Sequence, residues 1–406
     1  MVYGNADFMG LPWETVIKRY RAQLGRSGFR RLEEYGPDFL RFVERSPSLF
    51  PARLQNMYCY GFVRFWLWRL KRRLRLALED RPELAGELTA RQIRSAFKEL
   101  LEEDIRHLKG HPNLPRLAGV SANSLKGRYR DDIRRAIVDE LELLSDVLPR
   151  GPLEAAAALA LLKDLYWGSE SGLVISGFGR NEVLPRLRCY RLDGIVGGRL
   201  RAMEERGKRS DITADNGAAV SAFAQSEMVS LFMNGVDPGF ADFIKSFVAK
   251  SFSDGYPEIV KNMIGSQLSR AKTARMMSRL KQVAGKLTAA LESATDDYSR
   301  EMHWLPIIEI VNHLPKEELA AMAEALVNLT SFKRHVTKDA ETVGGPIDVA
   351  VISRGDGLVW IKRKHYFSTE LNRHFLANYY YDVGERIPPY AKKNRFFPVE
   401  RARQGA

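Results

Sequence analysis

Cysteine is nearly missing from this chain. Its 406 residues contain two, Cys59 and Cys189, which is too few for a disulfide framework, and the two lack the paired spacing of a structural zinc site. The setting this implies is a reducing cytoplasm. No apolar run approaches the ~18 residues of a membrane-spanning helix. The opening stretch MVYGNADFMGLPWE has neither the basic n-region nor the long apolar h-region of a secretory signal. Histidine is scarce. His107 and His111 stand four apart, a spacing that can offer two imidazoles from one helical face, but Gly110 and Pro112 interrupt the helix there and no third ligand follows at metal spacing. A phosphate loop is missing too: Gly177-Phe178-Gly179 has no following glycine, no Lys-Ser or Lys-Thr and no immediate helix. No cofactor and no metal are expected.

What is present is the composition of a globular protein, 45% hydrophobic and 28% charged. The length suits two or three domains, or one large domain carrying insertions. The net charge of +13 raises the question of a nucleic-acid partner, and the answer depends on where the charge sits. One basic cluster, Arg64, Arg69, Lys71, Arg72, Arg73 and Arg75, is interleaved with Phe65, Trp66, Trp68 and Leu70. It reads first as an amphipathic helix with a solvated basic face, and second as a site for an anionic partner or a membrane surface. Another basic and aromatic stretch closes the chain, from Lys362 through Tyr379, Tyr380 and Tyr381 to Arg395. Its rings could stack on bases, although docking on the protein's own body is the plainer reading.

Along the chain, Met1-Val2-Tyr3-Gly4 reads as the end of a strand and Asn5-Ala6-Asp7 as a turn into a helix, with Pro12 in its first turn and Val16, Ile17, Tyr20 and Leu24 as its buried stripe. A second helix is expected from Leu32 to Val43. Several helices are expected over residues 60–165, punctuated at Arg81-Pro82, at Gly110-His111-Pro112 and around Pro149-Arg150-Gly151-Pro152. Strand patterns return in SGLVISGF (171–178) and RLRCYRL (186–192). Helix follows from Pro257 to Asp296, with Ile264, Leu268, Leu280, Val283, Leu287 and Leu291 as the stripe of a hairpin arm. The helix KEELAAMAEALVNL (316–329) then leads into ETVGGPIDVAVISRGDGLVW, which reads as a β-hairpin turning at Gly355-Asp356-Gly357. Just before that hairpin lies the polar cluster HVTKDAET (335–342), a loop held between a helix and a strand, where chemistry is often found.

The order of these elements resembles the proteasome β-subunit family and its bacterial relatives, the N-terminal-nucleophile (Ntn) peptidases, with the first strands removed. The resemblance rests on GNADFMGLPWETVIKRYR, on GFGRNEVLPRLRCYRLDG and on LVNLTSFKRHVTKDAETVGGPIDVAVISRGDGLVW. In that family a helix ends in Asp, Ser follows three residues on, two glycines come next and a hairpin closes the domain. Here Asp339 and Thr342 keep the three-residue spacing and Gly344-Gly345 follow, but Thr replaces Ser and Val343 is inserted. The resemblance covers about half of the chain and extends to a bacterial group carrying the same helical insertions.

The resemblance implies an α+β fold, an Ntn-hydrolase-like four-layer sandwich of two antiparallel sheets between helical layers, with large helical insertions. Residues 1–60, 166–256 and 301–370 would form the sandwich domain, 61–165 a helical insertion, 257–300 a helical arm and 371–406 a tail. It also implies amide hydrolysis by a chain-terminal Thr, Ser or Cys whose own amine is the base, beside a lysine that keeps that amine neutral. Those residues lie on the family's first strands, and Met1 aligns just past them, so this chain is expected to be inactive as it stands. Asp339 and Thr342 would then play supporting roles, orienting the terminal residue. The plainer reading of the same pair is a loop cap and a strand start. The implied partners are a peptide or protein substrate and further copies in an oligomer or ring. A non-catalytic scaffold on the same fold and a nucleic-acid-associated protein are the alternatives.

Overall fold

The computed structural model describes residues 1–406 apart from 26, 80–88, 143–147, 167–169, 225, 265–268, 337–346, 364–366, 369–370, 375–376 and 378–406. The chain divides into two compact units, Met1–Pro315 with Ser353–Gly355, and Lys316–Ile352 with Asp356–Ala406. The first unit begins with β1 (Val2–Gly4), β2 (Asp7–Phe8), β3 (Leu11–Pro12), α1 (Trp13–Leu24) and α2 (Tyr35–Glu44). It continues through α3 (Ala52–Glu79), α4 (Ala90–Gly110), α5 (Ala122–Arg128), α6 (Arg130–Leu141) and α7 (Arg150–Ala160). Then come β4 (Ser171–Gly177), β5 (Arg186–Val196), β6 (Arg199–Glu204) and β7 (Ser210–Asp211), followed by α8 (Glu227–Asn234), α9 (Pro238–Lys250), α10 (Tyr256–Ile264), α11 (Arg270–Ser299) and α12 (Leu305–His313). The fold is mixed α+β. Its main sheet is antiparallel, in the order β1-β4-β5-β6 with β7 also on β5.

The period-two alternation expected in RLRCYRL sorts the strand onto two faces. Tyr190 and Leu192, with Leu173 of β4 and Leu200 of β6, meet Val16 and Tyr20 of α1 and Phe39, Leu40 and Val43 of α2 in one core cluster. Val196, at the end of β5, belongs to a second cluster built by α3 to α7. There α3 turns Cys59, Val63, Trp66, Leu67, Leu70 and Leu74 inward at helical spacing, each at most 4% exposed.

The second unit holds α13 (Lys316–Val336), β8 (Val349–Ser353) apart from Ser353, and β9 (Gly357–Lys362). The expected hairpin is present. Among the described residues its strands form a two-stranded sheet of their own, separate from the main sheet. It is tied to α13 by Lys316 Nζ to Asp356 Oδ2 at 2.9 Å and by Lys362 Nζ to Glu324 at 2.7 Å.

One local expectation is corrected. The chain does not pass from Asp7 directly into a helix, because β2 and β3 pair through a tight turn in which Met9 (φ 52°) and Gly10 (φ 85°) are left-handed. The Gly10 N–H donates to Asp7 Oδ1 at 3.0 Å, a local turn bond that competes with helix. Pro12 consequently sits at the N-cap of α1 rather than in its first turn. The Pro149–Pro152 stretch stands, as expected, at a helix boundary, with Pro149 as the N-cap of α7, since proline is tolerated before the helical N–H groups need partners. As expected, Gly110-His111-Pro112 punctuates the helices: α4 ends at Gly110 with His111 as its C-cap. The stripe of the arm lies on α11, with Val283, Leu287 and Leu291 at 53, 50 and 41% exposure; Leu268 lies outside the described residues.

Candidate functional site

Cys189 and Asp193 leave β5 on the side away from α1 and α2, where they line up with Tyr3 of β1 and with Arg201 of β6. A register shift between Leu192 and Gly194 bends β5 here, and a bulge is a usual way to aim side chains. Two glycines make the seam fit together. A Cβ on Gly172 would enter the Tyr3 ring, and one on Gly194 would enter the Tyr58 ring. Only glycine allows either aromatic to lie flat on the strand.

The inner half of the seam is enclosed. Arg201 is 0% exposed, and its Nε donates to Asp193 Oδ1 and to the Tyr58 hydroxyl, each at 3.0 Å. Its Nη atoms donate to the carbonyls of Leu161 and Leu165, the latter at 2.7 Å. The Phe62 ring stacks on the guanidinium at 4.6 Å. Burial disfavours the guanidinium charge, but the neighbouring Asp193 carboxylate outweighs it and raises the Arg201 pKa. With a planar fork matched to fixed acceptors and no route to water, this group fastens the sheet to α3 and to the end of α7.

The outer half is more open and holds the groups with chemical potential. The Cys189 thiol donates to Glu205 Oε2 at 3.1 Å, the Tyr3 hydroxyl donates to the same oxygen at 3.1 Å, and Lys208 Nζ stands 3.2 Å from Glu205 Oε1. Cys189 is fully buried while the Lys208 side chain is 47% exposed. Burial raises the Glu205 pKa, yet the hydrogen bonds from Cys189 and Lys208 prevail and hold it below the usual carboxylate range. The same surroundings work against the thiolate: burial first, then the bond and charge of Glu205, push Cys189 up to about 11, with the Tyr3 bond opposing. A cysteine nucleophile needs the reverse, a pKa lowered toward neutrality. Burial and Glu205 therefore favour the protonated thiol at Cys189, the reverse of what an activated nucleophile needs.

A reactivity experiment checks this. Native protein at pH 8 should react with a thiol-specific disulfide reagent orders of magnitude more slowly than the urea-unfolded chain, because Cys59 is also buried with its pKa raised by burial. The folded Cys189 pKa lies above the unfolded value near 9.0, so its contribution to stability is complete below pH 9 and is lost as pH rises toward 11. Rapid stoichiometric labelling of the native chain would reassign Cys189 as an activated thiol.

Asp339 and Thr342, the supporting pair expected from the sequence, lie outside the described residues. The sequence reading did not pick out the Tyr3, Cys189, Glu205 and Lys208 cluster. The alternation in RLRCYRLDG was the available signal, since it puts Cys189 and Asp193 on the same face. His107 and His111 do meet, Nε2 to Nε2 at 3.0 Å, but no group of three or more metal-ligating side chains occurs among the described residues. At least half of the basic cluster of α3 is paired with acidic side chains of the protein. Arg64 pairs with Glu140 at 3.2 Å, Lys71 with Glu142 at 3.5 Å, and Arg73 with Glu103 and Asp104 at 2.9 and 3.2 Å. Arg72 lies over Trp68 at 5.7 Å. This is the amphipathic helix expected from the sequence, with these paired charges directed at α4 and α6. No described helix is long and apolar enough to cross a membrane. Comparison with protein-family models, with characterised proteins and with solved structures finds no match to this chain.

Proposed function

We propose that the chain is a proteasome-like, Ntn-type peptidase homologue that does not itself hydrolyse amide bonds. The supporting observation is an antiparallel sheet in which the first strand, β1, is followed, past the β2–β3 turn, by two helices packed on one face and, beyond α3 to α7, by the β4–β5 pair beside it. The chemistry of the seam supports the second half of the proposal, since its thiol is held protonated by burial and by Glu205. In this reading Asp339 and Thr342 are the counterparts of the family's supporting pair, without a nucleophile to orient, and the fold is the four-layer sandwich. The natural partners are a peptide or protein substrate and further copies of the chain.

An experimental structure is the direct test. The sandwich requires β8 and β9, whose second strand is exposed along its length here, to belong to a second antiparallel sheet packed on the main one, and an experimental structure without such a sheet would rule it out. In parallel, the purified chain should leave fluorogenic peptides intact. Robust hydrolysis that survives both Asp339→Ala and Thr342→Ala would place the chemistry elsewhere. A second reading, a non-catalytic scaffold on the same fold, is favoured by the apolar surface that α9 to α11 expose, and in that case neither substitution has a functional effect.

A further inference from the structure

Among the described residues, the helices after the sheet carry a long exposed apolar surface. Phe240, Phe243 and Phe247 of α9 are exposed at 56, 60 and 60%, and Phe252, Tyr256 and Ile259 beyond them at 36, 55 and 58%. These residues recur every three or four positions except for the five-residue step from Phe247 to Phe252. That step coincides with a π-helical turn, Ser251–Gly255, between α9 and α10. A π-turn takes up about one residue more than an α-turn, so it absorbs the extra residue and keeps the rings on a single stripe about 30 Å long.

Helix α11 runs back beside α9, joined to it by Lys245 Nζ and Asp296 Oδ1 at 3.0 Å, while Ser299 Oγ donates to the Asn234 carbonyl at 2.9 Å. It carries its own exposed stripe of Val283, Leu287 and Leu291. Buried Ala284 and Pro257 mark the faces that α11 and α10 turn inward. Counted from them at about 100° per residue, the exposed stripes of both helices turn to the same side of the antiparallel pair. Five part-exposed aromatics with their aliphatic neighbours amount to about 800 Å² of apolar surface per copy, which is about what one partner buries in a stable interface.

The charges show what fits there. Every charged side chain of α11 from Lys272 to Lys286 is basic, whereas four of the five from Glu292 to Glu301 are acidic. An anionic membrane would be repelled by the second half, but a second copy running antiparallel complements both halves. The spacing agrees as well. Arg279 and Asp297 lie eight and ten residues on either side of Leu287, Lys272 and Glu301 lie fifteen and fourteen, and all four are exposed. We propose that α9 to α11 form a self-association surface, on which two copies pair antiparallel about a two-fold axis near Leu287 and close a four-helix bundle. Such an isologous contact needs one self-complementary patch, and it is independent of the peptidase reading.

The experiment is light scattering coupled to size exclusion, with sedimentation across a dilution series, on the full chain at low salt. The expected result is a dimer that dissociates on dilution and with salt. Phe243→Ser combined with Phe247→Ser should yield a monomer with unchanged circular dichroism and melting. Arg279→Glu should weaken the dimer about tenfold or more by placing like charges together, and adding Asp297→Arg should restore it. A monomer at every concentration, or a dimer indifferent to the two serines, would overturn the surface. Failure of the second charge change to rescue the first would overturn the two-fold arrangement. Binding of anionic vesicles by a chain that stays monomeric would assign the stripe to a membrane and overturn the proposal.

Discussion

Asp193→Ala should destabilise the protein by about 3–5 kcal/mol, because it leaves a buried guanidinium without its counter-ion. Arg201 would retain the Tyr58 hydroxyl and the carbonyls of Leu161 and Leu165, but dipoles do not neutralise a charge that is 0% exposed. Removing both members is a different case. With Asp193→Leu and Arg201→Met together, no charge is stranded, and much of the loss should be recovered. Urea denaturation of the two single variants and the double variant decides it. A loss under about 1 kcal/mol for Asp193→Ala would mean that water or an anion reaches Arg201, and the inner seam would then have to be read as a binding site rather than a fastening.

Trp66→Ala should cost about 3–5 kcal/mol, through lost burial and the cavity left behind. Trp66 is 2% exposed in the cluster built by α3 to α7, and its indole N–H donates to Asp104 Oδ2 at 2.9 Å. That carboxylate also receives Arg73 at 3.2 Å, so it keeps one partner when the indole is removed. Trp66→Phe should therefore retain most of the packing and lose only about 1 kcal/mol for the hydrogen bond. The neighbouring Trp68, 44% exposed, supplies the contrast: Trp68→Ala should lie within about 1 kcal/mol of the native chain. Comparable losses at both positions would mean that α3 is not oriented as described.

In α3, the sequence separated these two tryptophans only in part. Trp66 and Trp68 both belong to the interleaved cluster, and the expected amphipathic helix is observed, but the acidic residues that absorb its charge come from α4 and α6. A count of +13 could not locate them. In the arm, the stripe of Val283, Leu287 and Leu291 is exposed: periodicity reports that a helix has an apolar side and not what that side meets. Helices α8 and α9, within a stretch assigned to the sheet domain, were not read at all.

Local pattern by itself determined the strands that become β4 and the first part of β5, the helix that becomes α2 and the hairpin after α13, since each follows from side-chain period and turn chemistry over a few residues. It also determined that Cys189 and Asp193 share a face. Tertiary structure alone decided what that face carries. Tyr3 lies 186 residues from Cys189, and Tyr58 lies 143 from Arg201. The state of the thiol depends on burial and on Glu205 across the sheet, and the enclosure of Arg201 depends on α3 closing over it. Charge state and solvation are set by neighbours in space, and a period of two or of 3.6 along the chain holds no information about which distant segments those neighbours will be.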